Sequence, residues 1–427
     1  MLFYRALAAV ALAAYAPYAL LRWLAGRRRL GDIRGRLGRS TYPDLDGGIW
    51  IHAVSVGEIG VARSLLRALR KARPGCRAGL SVTTAAGREL AERTMSEEAS
   101  VFAFPFDLAG PVERALAATR PGLVVLTETE IWPLFLERAA RRAVPVALVN
   151  GRISERSYRR YRRVRGLLRS ALGRIALFAM QSDEDARRVL ELGAEGPRVR
   201  VAGNIKYDMP PAPAFADLER LRVAAAGRPF IVAGSTGEAE EALVLEAWSG
   251  LANRPLLVLA PRRPERFDEV ARLCESRGLR LMRRSTDASR LTADDCPVDI
   301  YLLDSIGELA SVYRGAALAF VGASLIPRGG QNPIEAWAAG VPVLAGPHME
   351  NFRDVAAAGR QRGILTSVED AGGLAAELAA ALAAPEETRR RAADAERFVQ
   401  ENRGAADRTA EAILALLPDP TATGRRA

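Results

Sequence analysis

Glu58 stands in the stretch HAVSVGEIG, directly after the apolar run IWIHAV and directly before the helix-like VARSLLRAL. A strand that ends in Gly and opens into a helix presents one side chain at the edge of a sheet. A carboxylate there has two possible duties: complementing the positive end of the helix dipole, or accepting a proton as a general base. Ser55 and Gly57 flank it on the same strand end. LTETEIWP brings Glu128 and Glu130 to the end of a second apolar run, and VNGRISERSYRRY brings Asn150, Arg152 and Ser157 to the end of a third. Two acidic clusters facing one cleft supply a base and a partner that orients it; taken singly, Glu128 and Glu130 read equally as solvated surface carboxylates. Lys206, in GNIKYD, is one of only two lysines, Lys71 being the other, in a chain that otherwise uses arginine. It is either a wanted ammonium or a surface lysine beside a linker.

The second half carries a different chemistry. VAGSTGEAEE places Ser235 and Thr236 between a strand and a helix, and LAPRRPERF places Arg262, Arg263 and Arg266 just past another strand. In FVGASLIPRGGQNPIEAW, Gly329 and Gly330 form a tight loop, followed by Gln331 and Asn332. Pro333 suits the first turn of a helix, and Glu335 lies on that turn. A glycine loop entering a helix N-terminus is an anion site, because free N–H groups and the dipole face the phosphate. Glu335 is then placed for ribose hydroxyls.

The elements that must position these groups are legible as alternation. Short β-branched runs (IWIHAV, AGLSVT, VFAFPF, LVVLTE, VPVALVN, IALFAM) are separated by amphipathic helix-length segments such as 61–73 and 133–143. A second set follows (PFIVAGS, PLLVLAP, LRLM, DIYLLD, LAFVGAS, VPVLAG, GILTS). Such alternation means βα units and mostly parallel sheets. The proline-rich DMPPAPAFA at 208–216 breaks the two sets apart. At 427 residues the chain exceeds one ordinary core. The expected organisation is an N-terminal anchor (1–30), a first Rossmann-like domain (31–207), a second (208–417) and a frayed tail (418–427). The two α/β domains are doubly wound with a cleft between them.

Net charge is +11, which points to an anionic partner. Nine arginines between 152 and 174 interleave with Tyr158, Tyr161, Leu167 and Leu168. This reads either as a solvated helix or as a basic face for an anionic membrane or phosphorylated lipid. No nucleic-acid-binding motif accompanies the charge. Cys76, Cys274 and Cys296 lack metal spacing and suit a reducing compartment. No His-rich metal constellation is evident, His52 and His348 being the only histidines, so neither a metal nor a cofactor is expected. At the N-terminus no charge falls between Arg5 and Arg22. The residues between them span roughly 24 Å as a helix, short of a ~30 Å hydrocarbon core, so the segment is a snorkelling span or an interfacial helix. The arginines that follow place the remainder on the cytoplasmic side.

Together these segments resemble the 3-deoxy-D-manno-octulosonic acid (Kdo) transferases of lipopolysaccharide inner-core synthesis. The matching stretches run in order from Trp50 to Val355: WIHAVSVGE, TETEIWP, NGRISERSYRRY, GNIKYD, AGST, APRRPERF, DSIGELASVY, GGQNPIE and GPHMENFRDV. The resemblance implies a GT-B fold at the cytoplasmic face of the inner membrane. It implies transfer of Kdo from CMP-Kdo to the lipid A precursor (lipid IVA), without nucleic acid. It makes Glu58 the catalytic base and puts CMP in the C-terminal domain with Glu335. The chain departs from the family pattern at Gly237, Arg263 and Gln331, where histidine is common. Two rival readings remain: a UDP-sugar transferase or non-hydrolysing epimerase on the same fold, and a non-catalytic membrane-anchored binder of phosphorylated lipid.

Overall fold

The computed structural model describes residues 33–39, 41–210, 212–286 and 297–417. The expected anchor (1–30) and tail (418–427) lie outside the described residues. No helix among the described residues is long and apolar enough to cross a membrane.

The chain divides into two compact units, one reaching Met209 and resuming at Asn402, the other spanning Pro210–Glu401. The first is built on seven strands: β1 (Ile49–Ala53), β2 (Ala78–Val82), β3 (Ser100–Ala103), β4 (Leu123–Thr127), β5 (Val146–Gly151), β6 (Leu177–Met180) and β7 (Val199–Val201). Their order is β3-β2-β1-β4-β5-β6-β7, and every pairing is parallel. β1, β4 and β5 are buried along their whole length. Helices cover both faces of such a sheet, so these strands read as continuous apolar runs instead of alternating ones. β7, the three-residue VRV, was not anticipated; its residues are half-buried to exposed and carry no apolar run. The direction of winding reverses between β1 and β4. There the carboxyl ends of two adjacent strands part and leave the crevice in which open α/β sheets hold their ligands.

The second unit repeats the scheme with β8 (Phe230–Thr236), β9 (Leu256–Pro261), β10 (Leu281–Arg283), β11 (Ile300–Leu302), β12 (Leu318–Val321), β13 (Val343–Ala345) and β14 (Leu365–Ser367). The order is β10-β11-β9-β8-β12-β13-β14, again parallel throughout. Its reversal falls between β8 and β12.

Two expectations are corrected. The arginine-rich segment is not one helix but two, Glu155–Arg163 and Arg165–Leu172, broken at Val164. The second domain does not run on to residue 417, because the chain from Asn402 rejoins the first unit. The helix Ala405–Leu414 supplies Ala405, Ala406, Ala410 and Ile413 to a core shared with Ile59, Ala62, Leu65, Leu66 and Leu69 of the helix Val56–Ala72. A distant side chain holds its start. Asp208 accepts from Gly404 N at 2.6 Å and from Ala406 N at 2.6 Å, satisfying amides that no helix can satisfy internally. The proline-rich break sits where it was expected, but the domain it closes is completed by chain some two hundred residues later.

Removing that carboxylate tests the arrangement. Asp208→Ala should lower the stability of the first unit by about 1–2 kcal/mol, the usual cost of losing a helix cap. Urea unfolding curves of the two proteins provide the measurement, and coincident midpoints would show that the returning helix docks without its cap.

Candidate active site

Glu58 lies in the first turn of the helix Val56–Ala72, against the end of β1, with 6% of its surface exposed. Ser55 occupies the N-cap position, and S-x-x-E is a capping-box spelling. The box does not form: Ser55 makes no side-chain cap bond. Its hydroxyl instead donates to Glu58 Oε1 at 3.0 Å. Glu58 Oε2 accepts from Val54 N at 3.0 Å and from Thr127 Oγ1, at the end of β4, at 2.6 Å. The carboxylate therefore bridges the two strands that part at the reversal. Burial raises the Glu58 pKa above the usual carboxylate range; Thr127, Val54 and Ser55 oppose that rise, and the Glu128 charge adds to it. Gly57 is exposed, and a Cβ built on it meets only Ser55 Oγ, at 3.9 Å. The glycine leaves open room beside the carboxylate.

The end of β4 is stitched to its neighbours. Glu128 has φ 56° and Asn150 φ 50°, a left-handed backbone that few non-glycine residues adopt and that tends to mark functional strand ends. Thr129 Oγ1 bonds the Arg152 carbonyl. Asn150 Oδ1 accepts from Ile205 N at 3.0 Å, and Gln181 Nε2 donates to the Asn150 carbonyl at 3.0 Å. That tether delivers Lys206, whose ammonium donates to Glu128 Oε1 at 2.7 Å. Lys206 is thus a partner for Glu128, not a free cation, whereas Lys71 lies exposed and pairs with Asp407. Among the described residues no cation pairs with Glu130: burial, then the charge of Glu58, push its pKa up to about 7, against the opposing effect of Trp132. Ser157 stands in the first turn of its helix, where Ser154 caps it and donates to its hydroxyl at 3.1 Å. Its position is explained by helix capping.

His52 on β1 is a core residue. It stacks on Phe104 at 3.7 Å, and burial drives its pKa down to about 3, so it stays neutral. Its carbonyl accepts from Thr127 Oγ1 at 2.9 Å. Thr127 is the residue that reading the sequence missed. A threonine in an apolar run passes as an ordinary strand former, and only its place at the sheet reversal distinguishes it.

In the second unit, Ser235, the penultimate residue of β8, has φ 55°. Thr236 is buried, and its hydroxyl bonds Glu241 at 2.9 Å. Arg266 also turns inward, onto Glu241 at 2.6 Å and Glu269 at 2.9 Å, and so is internally neutralised. Arg262 and Arg263 are exposed. The fully buried Glu240 accepts from Gly237 N, Ala323 N, Ser324 N and Leu325 N. It ties the loop after β8 to the loop after β12.

The glycine loop differs from its expected form. The helix it enters, Ile334–Ala338, has only five residues, with Pro333 at its N-cap, so it offers little dipole. Gly330 N donates to the Ala323 carbonyl at 2.7 Å. The left-handed φ of Gly329 and Gly330, 87° and 72°, lets the loop pack on Met349 and Asn351. Asn332 caps the short helix through Ile334 N at 3.1 Å and reaches Glu335 at 3.4 Å. Burial raises the Glu335 pKa. Gln331 stands half-buried between these groups. Among the described residues no cluster of three His, Cys, Asp or Glu could hold a metal ion.

The raised Glu130 pKa has a consequence for stability. A carboxyl protonated more readily folded than unfolded stabilises the fold below the unfolded pKa, and that contribution is lost as pH rises toward the folded value of about 7. Glu130→Gln should therefore be more stable than the parent at pH 8 and equal to it near pH 4. Denaturant midpoints at both pH values check this; a pH-independent difference would mean that Glu130 binds its proton alike in the folded and unfolded states.

Residues 27–209 match the family described as 3-Deoxy-D-manno-octulosonic-acid transferase (kdotransferase). The 3-deoxy-D-manno-octulosonic acid transferase of Bordetella pertussis is 37% identical over 333 residues, covering 75% of this chain and 76% of the relative. That of Haemophilus influenzae is 34% identical over 334 residues, covering 77% of each. Among solved structures, a putative UDP-N-acetylglucosamine 2-epimerase from Listeria monocytogenes superposes with TM-score 0.58 at 15% identity, over 86% of this chain and 94% of that one. This last likeness concerns the fold alone, two Rossmann-like units of GT-B type. The sequence relatives go further: this chain belongs to the 3-deoxy-D-manno-octulosonic acid transferase family and is a glycosyltransferase.

Proposed function

We propose that this chain transfers Kdo from CMP-Kdo to a sugar hydroxyl of the lipid A precursor, lipid IVA, in one inverting displacement with Glu58 as the base. The observation that carries the reading is a buried carboxylate fixed at the sheet reversal by three donors, with a raised pKa, in a chain of this family. The acceptor O–H gives its proton to Glu58 while its oxygen attacks the anomeric carbon through an oxocarbenium-like state. The bond to the phosphate breaks on the opposite face, and CMP leaves with the electron pair. Glu130, close enough to feel the Glu58 charge, orients the acceptor with Ser55, Asn150 and the Lys206–Glu128 pair. On the donor side, Ser235, Thr236, Glu335 and the loop 329–332 hold the nucleotide, and Arg262 and Arg263 neutralise its phosphate. Residues 1–30 attach the enzyme to the cytoplasmic face of the inner membrane, and the exposed arginines of 155–169 meet the anionic acceptor there.

Turnover of CMP-Kdo with lipid IVA is the direct test, with a UDP-sugar as the competing donor. Glu58→Gln keeps the shape but cannot take the proton, so kcat should fall by ~10²–10⁴-fold with CMP affinity kept. A carboxylate that only serves the helix dipole would cost about 0.3–1 kcal/mol of stability and little rate. Near-parental turnover in this variant would move the assignment to Glu128 or Glu130. Deleting residues 1–30 should leave turnover of a water-soluble acceptor analogue intact while the protein leaves the membrane fraction; an inactive but folded deletion would contradict the anchor reading.

A further inference from the structure

A carboxylate has about four lone-pair sites for hydrogen bonds. On Glu58, Oε2 uses two of them, for Val54 N and Thr127 Oγ1, and Oε1 uses one, for Ser55 Oγ. Among the described residues the one open site is on Oε1. Glu240, at the matching reversal of the second unit, makes the contrast. Its Oε1 accepts from Ser324 N and Leu325 N, and its Oε2 from Gly237 N and Ala323 N. All four of its sites are filled by backbone amides, and it has none to offer a substrate.

Thr127 adds a second feature. Its hydroxyl carries one proton but faces two acceptors, Glu58 Oε2 at 2.6 Å and the His52 carbonyl at 2.9 Å. The carbonyl can only accept. While Glu58 is ionised, the charge-assisted bond to Oε2 is the stronger and holds the proton. Once Glu58 is protonated, Oε2 is a weaker acceptor and the hydroxyl can turn to His52 without losing a hydrogen bond. We infer that Thr127 is the positioning residue for the Glu58 base: it clamps Oε2, steers the acceptor's proton to Oε1, and turns its own proton between Oε2 and the His52 carbonyl as the charge comes and goes. The proton that moves is the acceptor's, from its oxygen to Oε1; the Thr127 proton only reorients.

This rests on the reading of Glu58 as the base, and it extends that reading to a residue of β4. The charged and titratable groups around Glu58 are few. Glu128 follows β4 and is paired with Lys206; Glu130 follows it and is coupled to Glu58 through its charge. His52 on β1 is neutral. None of them donates a hydrogen bond to Glu58, so Thr127 is the largest single influence that keeps the buried base ionised. Losing its bond makes the base harder to ionise, and activity then requires a higher pH.

The experiment is the pH profile of kcat/KM for the full chain with CMP-Kdo and lipid IVA, in Thr127→Val, Thr127→Ser and Glu58→Gln. Thr127→Ala replaces the valine variant if that variant does not fold, as judged by circular dichroism. Loss of the hydroxyl should lower kcat by about 10- to 100-fold, a share of what a general base supplies. It should move the acidic limb upward by about one pH unit, a typical size for a lost charge-assisted hydrogen bond. The donor KM should stay put, and serine should restore both rate and limb. An unmoved limb in the hydroxyl-less variant, beside an inactive Glu58→Gln, overturns the inference and leaves the base assignment standing. A serine variant as impaired as the valine one also overturns it. An active Glu58→Gln overturns the base assignment, and the inference with it.

Discussion

Where a parallel sheet reverses its winding, two neighbouring strands part at their carboxyl ends and leave groups that no ladder can satisfy. In both units of this protein a glutamate just past the first strand of the reversal closes that gap. Glu240 does it completely, with four backbone amides and, among the described residues, no counter-cation. Glu58 does it incompletely, with one amide and two hydroxyls. The incompleteness is what makes chemistry available. A fully bonded buried carboxylate is a structural anion, while one with an open lone pair and a raised pKa can accept a proton and give it up again.

The same economy governs charge at the edge of the first sheet. Three carboxylates crowd the ends of β1 and β4, and burying them all ionised would be costly. Each is accommodated differently. Glu128 takes the Lys206 ammonium, Glu58 takes three donors, and Glu130 relaxes by holding its proton up to about pH 7. Lys206 pairs with Glu128 and so offsets part of a second negative charge, which still acts on Glu58. The tether from Asn150 to Ile205 is what brings the ammonium within reach, which gives the strained backbone at Asn150 a purpose.

Much of this was legible in the sequence because burial writes itself into strands. β1, β4 and β5 are buried from end to end and mostly apolar, and the polar residues at or just past their ends mark the ligand side of the sheet. The break at DMPPAPAFA was legible because proline interrupts both periodicities. What escaped has a common cause, since a local pattern carries no tertiary address. The helix Ala405–Leu414 is an alanine-rich amphipathic stretch like its neighbours in the second unit, and nothing in it says that its apolar face fits the helix Val56–Ala72. Arg266 looked like Arg262 and Arg263 until Glu241 was seen to neutralise it. The glycines at 329 and 330 suggested a phosphate cradle, yet their left-handed φ values are needed for the loop to pack against Met349 and Asn351.

Gly237 shows how closely the edge of this sheet limits its side chains. Its amide is one of the four that hold Glu240, so its backbone position is fixed by the reversal. A Cβ at that point would come within 2.6 Å of Ile326 Cδ1. A side chain here and the present placement of Ile326 are therefore mutually exclusive, and the isoleucine occupies space that a larger residue at 237 would need. The loop carrying Ile326 follows directly on the three amides that Glu240 binds, Ala323 to Leu325. Adding bulk at 237 thus requires Ile326 to turn away while the amides before it stay bound. A terminal methyl can make that movement at small cost, but the backbone held by Glu240 cannot. Variation at this edge of the sheet therefore falls first on side chains, because Glu240 holds the backbone amides just past the end of β8 and of β12.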